Sequence, residues 1–354
     1  MAGLSSRERA ALLAIVAASA LAGLANYGGW APVPRFALAT VALAGLAWVV
    51  SFATEQLGEH FGPGTTGMLQ STLGNLPELF IVLFALNAGE VVVAQTSVLG
   101  SLFANGLLVL GLAIVAGARR ESDGVMKFSP RLPNDTAVLL LLASFLIVIL
   151  GVSDQVGDRA SGHQVAISVF GAVVLLLIYA AWLLNYLRSD HAAEPALEEG
   201  AHHLPFARAL VLLAVAGVGA AFVSDWFVAA LDSAVRQLGI SKAFTGLVIV
   251  GIAGNAVENV VGVTLAAKGH SDLAVSVIKN SVAQIAVFLF PALVILSLFF
   301  ASRLTFVINP VLTSAVALCA VAIWAITGDG RAAAFEGWAL AGFYAILAAL
   351  VWFE

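Results

Sequence analysis

Long apolar runs follow one another along the whole of this 354-residue chain. A run of about 18 or more apolar residues allows a helix to cross the roughly 30 Å hydrocarbon layer of a bilayer. Hydrophobic residues make up 61% of the chain and charged residues 10%, which excludes a water-soluble globular domain. Backbone polar groups inside a bilayer need partners within their own segment, so the runs predict helices. We predict an all-α polytopic membrane protein with about eleven transmembrane helices.

Composition also narrows the classes of function. Cys319 is the only cysteine, so the chain forms no intrachain disulfide. The sequence holds neither a basic cluster suited to nucleic acid nor a polar stretch long enough for a nucleotide-binding domain. It also lacks the His-Glu-x-x-His motif expected of an intramembrane metalloprotease. We therefore predict a protein that is not an enzyme, binds no nucleic acid and needs no cofactor.

A short motif occurs twice inside the apolar runs. Residues 74–78 are Gly-Asn-Leu-Pro-Glu and residues 254–258 are Gly-Asn-Ala-Val-Glu, 180 positions further on. The same offset aligns three more pairs of identical residues: Gly89 with Gly269, Ala94 with Ala274 and Ser101 with Ser281. These identities fall on small and polar residues, so shared hydrophobicity alone does not explain them. Because a carboxylate at membrane depth is costly, its repetition indicates a duplicated membrane protein that handles a cation.

The duplication divides the chain into four parts. We predict a lone N-terminal helix over residues 1–30, a five-helix repeat over 31–187, an acidic cytoplasmic connector over 188–207 and a second five-helix repeat over 208–354. The first run is interpreted as a retained span rather than a cleaved signal peptide. An odd number of spans inserts the second copy the other way up, so the repeats are predicted to be inverted, as in many secondary transporters. The distribution of Lys and Arg predicts a cytoplasmic N-terminus.

The connector is polar and contains four acidic residues and three histidines: Asp190, Glu194, Glu198, Glu199, His191, His202 and His203. The simplest interpretation is a solvated segment between the two halves. A short acidic helix that attracts or senses divalent cations is an alternative. The adjacent histidines do not by themselves predict a transition-metal site, because no other cluster of ligands accompanies them.

Each motif places an amide and a carboxylate three residues apart, on one helix face. The pairs are Asn75 with Glu78 and Asn255 with Glu258. Their oxygens are hard ligands of the type that Ca²⁺ selects. The preceding glycines, Gly74 and Gly254, allow the helix to unwind and to free backbone carbonyls. Protons and a cation would compete for the two carboxylates, which is the basis of an antiporter. A structural role, with the acids paired to a base, is the alternative.

Further polar residues lie near the motifs in both halves. We consider seven of them as supporting or pathway residues: Gln95, Ser97, Ser101, Asn105, Asn280, Ser281 and Gln284. Helix–helix packing is the alternative role for these side chains. Lys279 lies well inside a predicted span. We expect its side chain to snorkel toward an interface or to form a structural pair, although it could also occupy the empty site or lower cation affinity by repulsion.

The two motif regions resemble those of the cation/proton exchangers of the Ca²⁺/cation antiporter superfamily. The resemblance covers nearly the whole chain. It implies an antiporter of the inner (plasma) membrane that exchanges cytoplasmic Ca²⁺ for external protons by alternating access. It also implies that Glu78 and Glu258 bind Ca²⁺ and protons in turn, with Asn75 and Asn255 as further metal ligands. The partners of the chain would be Ca²⁺, protons and the lipid bilayer. Whether the chain forms a homo-oligomer is left open.

Three departures from the family pattern bear on ion selectivity. Asn259 stands where many members have histidine, and the Leu76-Pro77 pair is closer to the sodium/calcium branch. Asn280, preceded by Lys279, replaces a small residue. A Na⁺/H⁺ or K⁺/H⁺ antiporter, or a Na⁺/Ca²⁺ exchanger, on the same scaffold is therefore the alternative function, and a cation channel is a rival from another class.

Overall fold

The computed structural model describes residues 5–58, 60, 73–188 and 204–354. Before the connector the α-helices are α1 (Ser6–Tyr27), α2 (Pro32–Gly58), α3 (Leu76–Asn87), α4 (Val91–Phe103), α5 (Leu110–Ala118), α6 (Arg131–Val156) and α7 (Gln164–Arg188). After it they are α8 (Phe206–Leu238), α9 (Lys242–Phe244), α10 (Gly251–Gly254), α11 (Ala256–Lys268), α12 (Ser271–Gln284), α13 (Phe290–Leu296), α14 (Pro310–Thr327) and α15 (Ala334–Trp352).

Shorter elements join or interrupt these helices. Three π-helical segments are Ala104–Val109, Thr245–Val250 and Ile285–Leu289, and two 3₁₀ turns are Arg159–His163 and Ser297–Phe299. One pair of antiparallel strands, β1 (Val125–Lys127) and β2 (Arg331–Ala333), links the loop after α5 to the loop before α15. The π-segments matter most here, because an inserted residue in a helix is often found at functional sites.

Nine helical stretches within the described residues are long and apolar enough to cross a membrane. The bent pair Lys242–Gly254 and Glu258–Lys268 forms a further candidate span, with a bend of 57°. Helix α3 is apolar but shorter, and residues 61–72 just before it lie outside the described part. The prediction of a polytopic helical membrane protein with about eleven helices is confirmed. Most of the acidic connector lies outside the described residues, so both interpretations of it stay predictions.

The chain forms two compact units, and the first comprises Met1–Phe84 and Ala180–Gly239. Its center is the contact between α2 and α8, the first helices of the two halves. Phe36 stacks near Phe227 with 4.8 Å between ring centroids, and Gly23 of α1 leaves room for the Trp226 ring. A buried apolar cluster continues this contact with Val49, Val50, Ala53, Leu57, Leu204, Ala209, Leu213 and Ala216. Small residues on both helices allow this close approach between apolar faces.

Leu204 is the first residue that the structure describes after Arg188, and it is held firmly within this unit. The backbone N–H of Leu204 donates to Gln56 Oε1 at 2.8 Å, and the Leu204 carbonyl oxygen lies 3.0 Å from His60 Nε2. The Leu204 side chain is buried in the apolar cluster. The end of α2 therefore anchors the chain where it enters α8.

The second unit comprises Ala85–Tyr179 and Ile240–Glu354. Its helices approach closely at glycines. A Cβ atom on Gly100 would lie 2.4 Å from the Leu247 carbonyl oxygen, and one on Gly251 would lie 2.5 Å from the carbonyl carbon of Gly100. Gly111 and Gly337 make a similar contact between α5 and α15. Beside these contacts, Lys242 Nζ binds both carboxylate oxygens of Glu90 at 2.8 Å. This unit contains the second motif and the polar residues that accompany both motifs.

Local backbone structure repeats at the offset of the sequence motif. Gly89 and Gly269 both have positive φ angles, of 79° and 90°. The residues after them, Glu90 and His270, precede helices with nearly the same φ and ψ, −85° and 60° against −88° and 62°. A π-segment then follows in each half, at Ala104–Val109 and Ile285–Leu289. These matches support the duplication, while the limits and inverted orientation of the repeats stay predictions.

Candidate cation-binding site

A break in the helical backbone positions the second motif. Helix α10 ends at Gly254 and α11 begins at Ala256, and Asn255 between them has non-helical angles of φ −101° and ψ 24°. The Asn255 carbonyl then accepts from the N–H of Asn259 at 3.0 Å. Glu258 consequently lies in the first turn of α11, where it is half-buried. The partial positive charge of a helix N-terminus interacts favourably with a carboxylate at this position.

The first motif has the same local structure. Gly74 and Asn75 form a turn before α3, and the Asn75 carbonyl accepts from the N–H of Leu79 at 3.0 Å. Glu78 lies in the first turn of α3. The side chains of Asn75 and Glu78 are buried, with exposed fractions of 6% and 1%. Both residues belong to the first compact unit. The sequence-predicted equivalence of the two carboxylates therefore extends to their position at the start of a helix.

Asn105 connects two other predicted site residues within the second unit. Its side chain is fully buried in the π-segment that follows α4. Asn105 Nδ2 donates to Asn255 Oδ1 at 2.8 Å and to Ser281 Oγ at 2.9 Å. Asn255 Nδ2 in turn donates to the Gly251 carbonyl at 3.0 Å. We call Asn105, Asn255 and Ser281 the amide cluster. It joins residues that lie 150 and 176 positions apart in the chain.

Three oxygens of predicted site residues in the second unit lack a hydrogen-bond partner among the described residues. They are Asn105 Oδ1, Ser101 Oγ and Asn280 Oδ1, and all three atoms are buried. Leaving a buried polar atom unpaired costs about 1–3 kcal/mol. A cation can offset that cost by binding the oxygens directly. The chemistry of these neutral oxygens, with a carboxylate in the same unit, suits a hard cation such as Ca²⁺.

Other predicted residues make structural contacts instead. Gln95 Nε2 donates to the carbonyls of Thr305 and Val307 at 3.3 and 2.8 Å, and so holds the segment before α14. Ser97 Oγ donates to the Val93 carbonyl one turn earlier in its own helix. Gln284 is half-buried at the end of α12. Gln95 and Ser97 thus donate to backbone carbonyls here, and their part in an ion pathway stays a prediction.

Lys279 is buried, with 3% of its surface exposed. Its ammonium donates to Thr327 Oγ1 at 2.7 Å. The sequence predicted that Lys279 would either snorkel toward an interface or form a structural pair. The structure shows a buried structural contact. Sequence reasoning missed Thr327 because it lies 48 residues away, at the end of α14.

Two further features were also missed. The Glu90–Lys242 ion pair joins the loop before α4 to the start of α9, and the opposite charges at two predicted span ends were its only signal. The π-segments had no signal that we recognised.

Within the described ranges, no three His, Cys, Asp or Glu side chains come together in a way that could hold a metal ion. A cation site in this part of the chain would therefore need amide, hydroxyl or backbone oxygens beside its carboxylates.

Comparison with known proteins identifies the family. A family model described as sodium/calcium exchanger protein matches residues 33–187 and 208–353. The chain belongs to this exchanger family. The match omits the residues of the predicted connector and includes both motifs, so the resemblance found from the sequence is confirmed.

Individual relatives of this exchanger extend over most of its length. It is 31% identical over 351 residues to the Ca(2+)/H(+) antiporter of Synechocystis sp., covering 93% of this chain and 94% of that protein. It is 32% identical over 327 residues to the Ca(2+)/H(+) antiporter ChaA of Bacillus subtilis, covering 90% and 92%. Among solved structures, native YfkE superimposes with a TM-score of 0.83 at 29% identity, covering 97% of this chain and all of that one. The H⁺/Ca²⁺ exchanger CAX, at 17% identity and a TM-score of 0.73, shares the fold.

Proposed function

We propose that this chain is a secondary active antiporter that exchanges cytoplasmic Ca²⁺ for external protons across the plasma membrane. The observation that carries the proposal is the repeated start of a helix just after an asparagine, with a buried or half-buried glutamate in the first turn in each half. Two carboxylates balance the charge of one divalent cation. The relatives named Ca(2+)/H(+) antiporters, at 31% and 32% identity over most of the chain, support Ca²⁺ as the cargo.

Charge balance couples the two ions in this proposal. An empty pair of ionised carboxylates is costly in a low-dielectric interior, and so is a cation without carboxylates. Glu78 and Glu258 therefore hold either Ca²⁺ or protons during each change of access. Cytoplasmic Ca²⁺ displaces protons from the two acids, and external protons later displace Ca²⁺. The unpaired oxygens of Ser101 and Asn105 would replace part of the hydration shell of the ion.

Transport by purified protein in liposomes tests the proposal. With an acidic lumen and a neutral bath, we expect Ca²⁺ to accumulate in the lumen as protons leave. Collapse of the pH gradient with nigericin and K⁺ should stop this uptake. Parallel assays with Na⁺ and K⁺ determine the cargo. Uptake of monovalent cations alone would contradict Ca²⁺/H⁺ exchange, and Ca²⁺ flux that ignores the pH gradient would indicate a channel.

Asn105 is expected both to hold Asn255 and Ser281 in place through its Nδ2 and to offer its own Oδ1 to the ion. Its replacement by leucine, of similar size, removes both hydrogen bonds to Asn255 and Ser281. Loss of a residue that orients a metal ligand typically costs about 10- to 100-fold in metal affinity. We expect the half-saturating Ca²⁺ concentration to rise by that factor, measured as the concentration dependence of uptake. Ser314→Ala, at an exposed hydroxyl that bonds only within α14, is the matched control. If the half-saturating Ca²⁺ concentration of Asn105→Leu equalled that of the wild type, the amide cluster would not belong to the cation site.

A further inference from the structure

A side-chain hydrogen bond crosses the helix break of the second motif. Asn259 Nδ2 donates to the carbonyl of Ile252 at 3.2 Å. Residues seven apart in a regular helix are separated by about 10.5 Å along its axis, which is beyond the reach of an asparagine side chain. The bond therefore forms only because α10 and α11 meet at a bend, which measures 57°. We call it the bridging bond, and it is specific to the bent form of this span.

Two amides bind neighbouring carbonyls at the end of α10. Asn255 Nδ2 donates to the Gly251 carbonyl at 3.0 Å, and Asn259 Nδ2 donates to the carbonyl of Ile252, the next residue. Asn259 is also joined to the break through its backbone N–H, which donates to the Asn255 carbonyl at 3.0 Å. A backbone bond and a side-chain bond from one residue thus tie the first turn of α11 to the chain before it.

Helix α10 provides a fixed base for the bridging bond. A Cβ atom on Gly251 would lie 2.5 Å from the carbonyl carbon of Gly100, so α10 packs directly on the backbone of α4. The π-segment after α4 carries Asn105, which binds Asn255. Helices α4 and α10 and the amide cluster therefore form one packed group. Glu258 belongs to the helix on the other side of the bend.

We propose that Asn259 is a positioning residue that sets the direction of the first turn of α11 and so places the Glu258 carboxylate for cation binding. The inference rests on the proposed function and deepens it. A binding site needs its ligands within about 0.5 Å and 10–20° of the productive geometry. A bend of 57° that is not tied can relax by more than that. Farther along α11, Gly262 packs against Ile278, so the bridging bond acts on the first turn rather than on the whole helix.

The other end of the Asn259 amide separates this role from a contribution to stability. Asn259 Oδ1 is buried and has no hydrogen-bond partner among the described residues. An unpaired buried oxygen typically costs more than one ordinary hydrogen bond contributes. Replacement of the amide by leucine, of similar size, should therefore leave the melting temperature near or above that of the wild type. A loss of cation affinity in this variant would then not come from a less stable fold.

Asn259→Leu removes the bridging bond. We expect the half-saturating Ca²⁺ concentration to rise about tenfold, the lower end of the range for residues that orient metal ligands, because the backbone bond to Asn255 remains. The maximal rate should stay close to that of the wild type, since the bridging bond does not carry the ion. Both values come from the concentration dependence of Ca²⁺ uptake into acid-loaded liposomes. Asn185→Leu, at an exposed position near the end of α7, is the matched control.

A second variant separates the donor of Asn259 from its unpaired oxygen. Asn259→His keeps an N–H group at a similar distance from the backbone and has no side-chain oxygen. In a bath at about pH 8, a histidine with an ordinary pKa of about 6.5 is neutral and adds no charge. If the bridging bond positions Glu258, this variant should recover most of the affinity that is lost in Asn259→Leu. If Oδ1 were itself a ligand, the two variants would bind Ca²⁺ equally weakly.

The outcomes distinguish this inference from the proposed function. A higher half-saturating concentration in Asn259→Leu at an unchanged melting temperature, rescued by Asn259→His and absent from Asn185→Leu, supports the positioning role. An unchanged half-saturating concentration in Asn259→Leu would overturn it. A lower maximal rate alone would also overturn it and assign the bridging bond to the change of access, and equal losses in both Asn259 variants would assign direct coordination to Oδ1. In all these cases proton-driven Ca²⁺ uptake by the wild type leaves the antiporter proposal intact, whereas its failure would overturn both.

Discussion

Replacement of Glu258 by glutamine is expected to abolish Ca²⁺ uptake driven by a proton gradient. Glutamine has nearly the same size and keeps an amide oxygen, but it carries no charge and binds no exchangeable proton. Loss of a residue that only orients a metal ligand already lowers metal affinity by about 10- to 100-fold. Removal of a charged ligand should therefore reduce uptake by more than about 100-fold, measured as the initial rate of Ca²⁺ accumulation in acid-loaded liposomes.

Glu78→Gln tests whether the repeated motif is repeated in function. Both glutamates lie in the first turn of a helix, so we expect the same loss from either substitution. Glu121→Gln, in the exposed loop after α5, removes an equal charge away from the motifs and should leave the rate unchanged. Normal uptake by Glu258→Gln would mean that this carboxylate is structural. A loss in only one of the two variants would show that the halves have diverged in their use of the motif.

Replacement of Gly100 by valine is expected to prevent correct packing of the second unit. The first added atom would already lie 2.4 Å from the carbonyl oxygen of Leu247 and 2.6 Å from its Cα. These are backbone atoms, so no side chain can rotate to make room. Overpacking of a core typically costs about 1–3 kcal/mol, and a clash with backbone should lie at or above the upper end of that range. We expect a lower melting temperature in detergent and a smaller monodisperse fraction in size-exclusion chromatography.

Gly342→Ala is the matched control for this effect. An added Cβ at Gly342, within α15, would meet no heavy atom within 4 Å. Alanine is also the better helix former, by about 1 kcal/mol, so this variant should be as stable as the wild type or more stable. If Gly100→Val melted like the wild type, the contact between α4 and the segment Thr245–Val250 would not be as close as described. A loss of stability in both variants would point to a general effect of replacing glycine.

Much of the fold and the position of the motifs could be predicted from the sequence. Long apolar runs predict spanning helices because a bilayer requires every backbone polar group to find a partner within its segment. The repeated Gly-Asn-x-x-Glu pattern also indicated a functional site, because a glutamate in an apolar run is energetically costly. Both arguments use only local composition and spacing. The helix count and the family assignment, which rest on them, are confirmed.

Contacts between distant residues were decided by the tertiary structure. The sequence suggested that Asn105, Asn255 and Ser281 have related roles, but it could not show that one amide nitrogen binds the other two side chains. Nor could it show that Gln95 holds a backbone segment while Lys279 contacts Thr327. Such contacts depend on how each helix is rotated about its axis. A π-segment changes that rotation by one inserted residue, and apolar periodicity carries no sign of it.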